Sequence, residues 1–270
     1  MRIGQVKPTL DLLTIATNKY SKYWQDMIKS ADLHLAANHD VTAHVFSNEV
    51  EQLKEFIKSL KSIKVEVHEI SDLRWPEVAL KRYEILSSNW DKFEGALMMY
   101  IDADMIFETE VPHLDGLLLD QNSMALVKHP GYRRPSGRYL AKFYLSHPRY
   151  IVTDIKMKMR LGGLGAWETN KESTSFVKRR ARKNYYCGGC WFGTNLEFLG
   201  FISLLADSVA NDTQKNIEAI WLDESHLNKW ASQNEFMSVE SSFCFDETYP
   251  QLSDLFCVIT AVDKSNKYGR

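Results

Sequence analysis

No stretch of this chain approaches the ~20 consecutive apolar residues that a membrane-crossing helix needs. The opening Met1-Arg-Ile-Gly-Gln-Val-Lys-Pro8 lacks the apolar core of a signal peptide. Cysteine is scarce: Cys187, Cys190, Cys244 and Cys257 are too few to staple a chain of 270 residues, which fits a reducing compartment. The expected location is therefore cytoplasmic. Neither a G-x-G-x-x-G nor a Walker sequence occurs, so the dinucleotide-dehydrogenase and P-loop readings lose the glycines that their phosphate cradles require. Any phosphate bound here has to be held by a metal and by cationic side chains instead. Excess charge of one sign is also missing overall, since the net charge is −2, but residues 133–183 hold fourteen Lys or Arg against Asp154, Glu168 and Glu172. That block reads either as a solvated surface or as a docking face for an anionic partner, nucleic acid or membrane headgroups.

What is present is an alternation of apolar runs and helical periodicities. Leu10–Thr17, Val41–Phe46 and Ile63–Ile70 read as strands. Helices are expected over Ser21–Asn38, Val50–Leu60 and from Pro76 to about Trp90, with proline in the favoured first turn. The next strand is Ala96-Leu-Met-Met-Tyr-Ile-Asp102, apolar enough to be buried on both faces. This order predicts an α/β fold built on a mainly parallel sheet. The second half is less regular, with a strand at Ser123–Val127, a Pro-Gly turn at His129–Tyr132, a glycine break at Leu161–Gly165, a long helix from Asn195 to about Asn211 and a strand at Ile259–Val262.

A buried strand cannot neutralise a charge, so Asp102 and Asp104 belong where the chain leaves the sheet, both pointing one way across Ala103. Two hard oxygen donors at a strand's carboxyl end form a seat for Mn²⁺ or Mg²⁺ carrying a diphosphate. The bland alternative makes Asp102 a turn cap and leaves Asp104 solvated. Ala16-Thr-Asn-Lys-Tyr20 follows the first strand and would lie beside them. A second acidic pair, Asp223-Glu224, precedes a helix; it either stabilises an oxocarbenium-like centre or serves as ordinary capping chemistry. Cys187-Gly-Gly-Cys190 has the spacing of a redox pair or half a zinc site, although its glycines also suit the close approach of a ligand. By default His129 is a structural hydrogen-bonder, and Trp75 and Trp221 are core residues.

These segments, with Arg74-Trp75, Lys81-Arg82, His129-Pro-Gly131, Tyr185-Tyr-x-Gly-Gly189 and Trp221-x-Asp-Glu-Ser-His-Leu-Asn-Lys229, resemble the retaining α-1,3-glycosyltransferases that include the blood-group A and B transferases, glycosyltransferase family six. The resemblance implies a GT-A fold in one catalytic domain, with residues 1–110 as the nucleotide-sugar half and 111–270 as the acceptor half. It implies transfer of N-acetylgalactosamine or galactose from a UDP-sugar to the 3-hydroxyl of a galactoside-type glycan, with Mn²⁺ or Mg²⁺ on Asp102 and Asp104 and no nucleic-acid partner. By position, Ile15, Ala16, Thr17 and Tyr20 would hold the uracil. Trp75, Arg82 and Ala103 would also face the donor, and Cys187, Gly188 and Gly189 would meet the sugar, a glycine at 189 leaving room for an N-acetyl group. Lys264 and Arg270 would close over the diphosphate. Asp223 would orient the donor and Glu224 would be the nucleophile or cation stabiliser. His129, Trp221 and Asp246, with Glu224, would face the acceptor. Two departures stand out: Leu222 replaces the family's usual histidine, and a basic insert at about 133–167 has no counterpart and offers peripheral contact with an anionic surface.

Overall fold

A computed structural model describes residues 6–118 and 123–262. The expected alternation forms β1 (Thr9–Ile15), α1 (Tyr20–His34), β2 (Asp40–Ser47), α2 (Val50–Ile57), β3 (Lys64–Glu69), α3 (Glu77–Leu80), α4 (Arg82–Ser87), β4 (Leu97–Ile101), β5 (Met105–Phe107), α5 (Leu114–Leu117) and β6 (Met124–Lys128). The helix expected from Pro76 to Trp90 is broken. Lys81, at φ −91° and ψ −2°, opens the turn between α3 and α4, and a separate 3₁₀ turn covers Trp90–Lys92.

The remaining elements are α6 (Gly137–Ser146), α7 (Arg149–Leu161), β7 (Tyr186–Thr194), α8 (Asn195–Gln214), α9 (Leu222–Ala231), β8 (Met237–Val239) and β9 (Ile259–Ala261). Where the sequence showed only a basic block and a glycine break, α6 and α7 form a helical pair. Gly162, at φ +82°, ends α7 in the left-handed conformation that favours glycine.

Seven strands make one sheet in the order β3-β2-β1-β4-β7-β6-β8. β3, β2, β1 and β4 are parallel, whereas β7 runs antiparallel between β4 and β6. All five residues of β4 are buried, as two covered faces require. One face carries Trp24, Met27 and Ile28 of α1, and the other Phe198, Phe201 and Leu205 of α8. Trp191 of β7 is stacked between Tyr100 of β4 and Phe198, with ring centroids 5.0 and 4.7 Å away. Large aromatic faces buried in this way lock the β4–β7 pairing on which the site depends.

A second ribbon pairs β5 with β9, and the Val262 N–H donates to the Asp104 carbonyl at 2.8 Å. The described chain thus ends beside the acidic turn.

Candidate active site

The strand β4 ends at Ile101, and Asp102, Ala103 and Asp104 form the turn that follows. All three line a cavity of about 680 Å³ at the carboxyl ends of β1 and β4. Ile15, Thr17 and Tyr20 enter it from the β1–α1 junction, Trp75 and Arg82 from the α3–α4 segment, Gly188 and Gly189 from β7, and Trp221, Asp223 and Glu224 from the start of α9. The two acidic pairs, more than a hundred residues apart in the chain, therefore share one cavity.

Arg82 is the joint between them. Its Nη2 meets Asp102 Oδ1 at 3.0 Å, its Nη1 lies 2.7 Å from Asp223 Oδ2 and donates to the Gly188 carbonyl at 2.7 Å, and the guanidinium sits 4.7 Å over the Tyr100 ring. Burial works against its charge, but Asp102 and Asp223 outweigh it and hold the guanidinium protonated. The Asp223 contact is an ion pair without hydrogen-bond alignment. Among the described residues, Asp223 Oδ2 and Arg82 Nε have no hydrogen-bond partner although both are buried. Buried polar atoms without a hydrogen bond cost free energy, which the charge attraction between Arg82 and Asp223 offsets in part.

The Glu224 carboxylate accepts the Gly188 N–H at 2.8 Å. Burial pushes its pKa up to about 7; the Gly188 N–H pulls it down, Asp223 pushes it up, and the Tyr185 hydroxyl and Arg82 lower it again. Asp223 rises to about 6, chiefly by burial, with Arg82 opposing and Asp102 adding to the rise. Just before them Leu222 holds φ +45°, a left-handed conformation costly for a branched residue, and this turn aims both carboxylates inward.

Asp102 and Asp104 are the candidate metal seat in the cavity. Asp102 Oδ1 is taken by Arg82 and by the Tyr100 hydroxyl at 2.9 Å. A Cβ added at Gly189 would lie 2.8 Å from Asp102 Oδ2, so only glycine lets β7 pass while keeping that oxygen accessible. Hard oxygens with room beside them suit Mn²⁺ or Mg²⁺, which keeps several positions for water and phosphate. Asp102 thus gives residue 189 a steric reason to be glycine. Among the described residues, the group of three metal-capable side chains within 4.8 Å is His44, Glu66 and His68. These lie within β2 and β3, and His44 Nδ1 and His68 Nε2 are 3.0 Å apart. They line no part of the cavity.

Several expected residues stand elsewhere. Ala16 is fully buried behind the wall, its carbonyl accepting the Ser47 hydroxyl. Cys187 is buried in the core with Cys190 and Cys244, all free, and burial pushes the Cys190 thiol well up, which disfavours the thiolate of a redox motif. His129 packs against Tyr132 and Tyr185, accepts the Gly131 N–H on Nδ1 and is held neutral by burial, at about 4. Asp246 folds back on the Thr248 N–H and hydroxyl. Neither His129 nor Asp246 lines the cavity. Lys264 and Arg270 lie outside the described residues.

The core reading of Trp75 and Trp221 is overturned. They are 73% and 52% exposed at the cavity, where a large aromatic in water is available to a ligand. Tyr100, Tyr185 and Asn228 went unassigned. Asn228 bonds both the N–H and the carbonyl of Tyr186 at 2.8 Å and so ties α9 to β7. The Tyr185-Tyr pair and the string ending in Asn228-Lys229 carried that signal without revealing the partners.

The basic block divides in two. Arg133 is paired with Asp254 and Glu240, Arg134 with Asp154, and Arg182 donates to the carbonyls of Val177, Leu161 and Glu168. These cations hold the second half together, and exposed Arg179 donates to the carbonyls of Lys158, Met159 and Arg160; the others face water.

A family model described as Glycosyltransferase family 6 matches residues 3–128 and 164–269. Histo-blood group ABO system transferase 1 of Rattus norvegicus is 24% identical over 225 residues, 82% of this chain and 56% of that protein. Globoside alpha-1,3-N-acetylgalactosaminyltransferase 1 of Canis lupus familiaris is 22% identical over 271 residues, 97% of this chain and 68% of that protein. The O-antigen biosynthesis glycosyltransferase WbnI of Escherichia coli is 20% identical over 261 residues, covering 96% of this chain and 97% of that protein.

Proposed function

The chain belongs to glycosyltransferase family 6, with the mixed α/β architecture of a GT-A-like fold, and on that premise we propose that it is a single-domain, retaining glycosyltransferase moving N-acetylgalactosamine or galactose from a UDP-sugar to the 3-hydroxyl of a glycan. The observation that carries this reading is the shared cavity, with Asp102 and Asp104 on one wall and Asp223 and Glu224 on another. The names of the dog relative, an alpha-1,3-N-acetylgalactosaminyltransferase, and of the Escherichia coli relative, an O-antigen biosynthesis glycosyltransferase, support the donor and acceptor classes. Four free cysteines support a reducing, cytoplasmic setting.

Each residue then has a task. Thr17 and Tyr20 flank the base, and Trp75 at the rim offers its face to it. Arg82 lies against the diphosphate end of the cavity, and Asp223, paired with it, faces the donor sugar. Asp102 and Asp104 would hold Mn²⁺ or Mg²⁺, whose charge offsets that of the UDP leaving group. When the bond between the anomeric carbon and the phosphate oxygen breaks, its electron pair leaves with UDP. The Glu224 carboxylate, fixed by the Gly188 N–H, stabilises the positive charge left on the carbon or bonds to it. The acceptor hydroxyl attacks and loses its proton to the departing phosphate. Trp221, exposed beside Glu224, provides an apolar platform for the acceptor sugar.

The test is turnover of UDP-GalNAc and UDP-Gal with and without Mn²⁺, using wild type, Asp102→Asn and Glu224→Gln. Donor hydrolysis that needs metal and falls at least about 10³-fold in Glu224→Gln is expected. Failure of wild type to bind or cleave any UDP-sugar would sink the assignment.

A further inference from the structure

The helical pair α6–α7 falls in residues 129–163, which the matched family segments leave out. α7 contains a single acid, Asp154, which is buried and held by Arg134 at 2.6 and 2.7 Å and by the Tyr144 hydroxyl at 2.8 Å. This clamp fixes the rotation of the helix about its axis. At about 100° per residue, Ile151, Val152, Ile155 and Met159 then share one arc of roughly 100°, its centre about 110° round the helix from Asp154. They are 42, 54, 53 and 73% exposed. Exposed Lys158 borders the arc on one side, and exposed Lys156, Arg149 and Arg160 on the other.

Single apolar residues in water are ordinary, but four along one helix face form a patch that marks a covered surface. The rim decides what covers it. A second copy of this chain would set lysine against lysine, whereas an anionic bilayer accepts the apolar arc below its headgroups and the cations among them. We infer that α7 is a peripheral membrane-docking helix that lays Ile151, Val152, Ile155 and Met159 into the interface of an anionic lipid surface. No described helix is long and apolar enough to cross a membrane, so the contact is in the plane of the surface. The inference is independent of the transfer reaction.

The full chain is mixed with vesicles of phosphatidylcholine alone or with about one quarter phosphatidylglycerol, and the sedimented fraction is measured. Binding to the anionic vesicles, weakened by salt, is expected. It should drop about ten-fold or more in Ile155→Asn/Met159→Asn and in Lys156→Glu/Arg160→Glu, with thermal unfolding and donor hydrolysis unchanged. Absence of binding by wild type, or equal binding by both variants, overturns the inference. So does wild-type self-association that the apolar variant abolishes while no vesicles are bound, since it assigns the arc to a second copy.

Discussion

Glu224 carries the sharpest pH signature of the molecule. A carboxyl raised to about 7 must be ionised to stabilise a cationic centre, so kcat/KM for donor hydrolysis should fall as pH drops through about 7, with Asp223 near 6 contributing to the same limb. The sign for stability is opposite. Because the folded carboxyl binds its proton more tightly than the unfolded one, the folded state loses stability as pH rises from about 4.5 to about 7, and the loss persists above that. Glu224→Gln should therefore have a higher Tm than wild type at pH 8, by roughly 3–6 °C, with the difference vanishing near pH 4.5. The half-buried His68 and His129 and the buried His226, each lowered to about 4, destabilise both proteins alike in acid and cancel from that difference. A wild type more stable than the variant at pH 8 would contradict the buried-carboxylate account. Gly189 offers a steric test at the same scale. Gly189→Ala places a methyl 2.8 Å from Asp102 Oδ2 and must swing that carboxylate aside. The Mn²⁺ concentration for half-maximal activity should rise about 10- to 100-fold while the fold persists.

At the scale of elements, the site depends on how α9 is fastened to β7. Asn228 replaces a strand neighbour for Tyr186 by satisfying both of its backbone groups, and its Nδ2 also reaches the Glu224 carbonyl at 2.9 Å. Asn228→Ala leaves two buried peptide groups unpaired, at a cost of about 1–3 kcal/mol each before relaxation. The urea midpoint should fall without a change in m, and kcat should fall more than Tm alone explains, because Glu224 is carried on the loosened turn. His226 of the same string works on the opposite side, its Nδ1 facing the Ser208 hydroxyl of α8 at 2.8 Å. One helix is therefore pinned to a strand and to a helix by polar residues two positions apart.

At the scale of the whole molecule, the two halves of the chain share one sheet. β4 from the first half pairs directly with β7 from the second, and Arg82 bonds to Gly188 across the joint. A nucleotide half and an acceptor half that unfolded separately would have to tear this sheet between β4 and β7, where Trp191 stacks on Tyr100. Urea unfolding followed by tryptophan fluorescence and by far-ultraviolet circular dichroism should give one coincident transition, and UDP with Mn²⁺ should shift it upward by mass action. Two separated transitions would show that the halves are independent domains.

Local pattern was enough for the parallel half. An unbroken apolar run can only be a doubly covered strand, and a carboxylate pair at its end can only stand outside the sheet, so β1 to β4 and the place of Asp102 and Asp104 were legible from the sequence. The Trp221-to-Lys229 string likewise announced the second acidic pair. The amino-acid order did not show that Tyr186–Thr194 is a central antiparallel strand, because Gly188 and Gly189 read as room for a ligand, and interior glycines weaken a strand. Nor did it show that Trp75 and Trp221 stand in the open, that Cys187 and Ala16 stand behind the wall, or that α7 turns an apolar face to water. Those outcomes depend on contacts such as Arg82 with Gly188 and Tyr83 with Asp223, which close loops of 106 and 140 residues. Periodicity and spacing report only what neighbouring residues demand of one another. Burial, and with it the shifted carboxyls of the site, arises only when distant segments exclude water together.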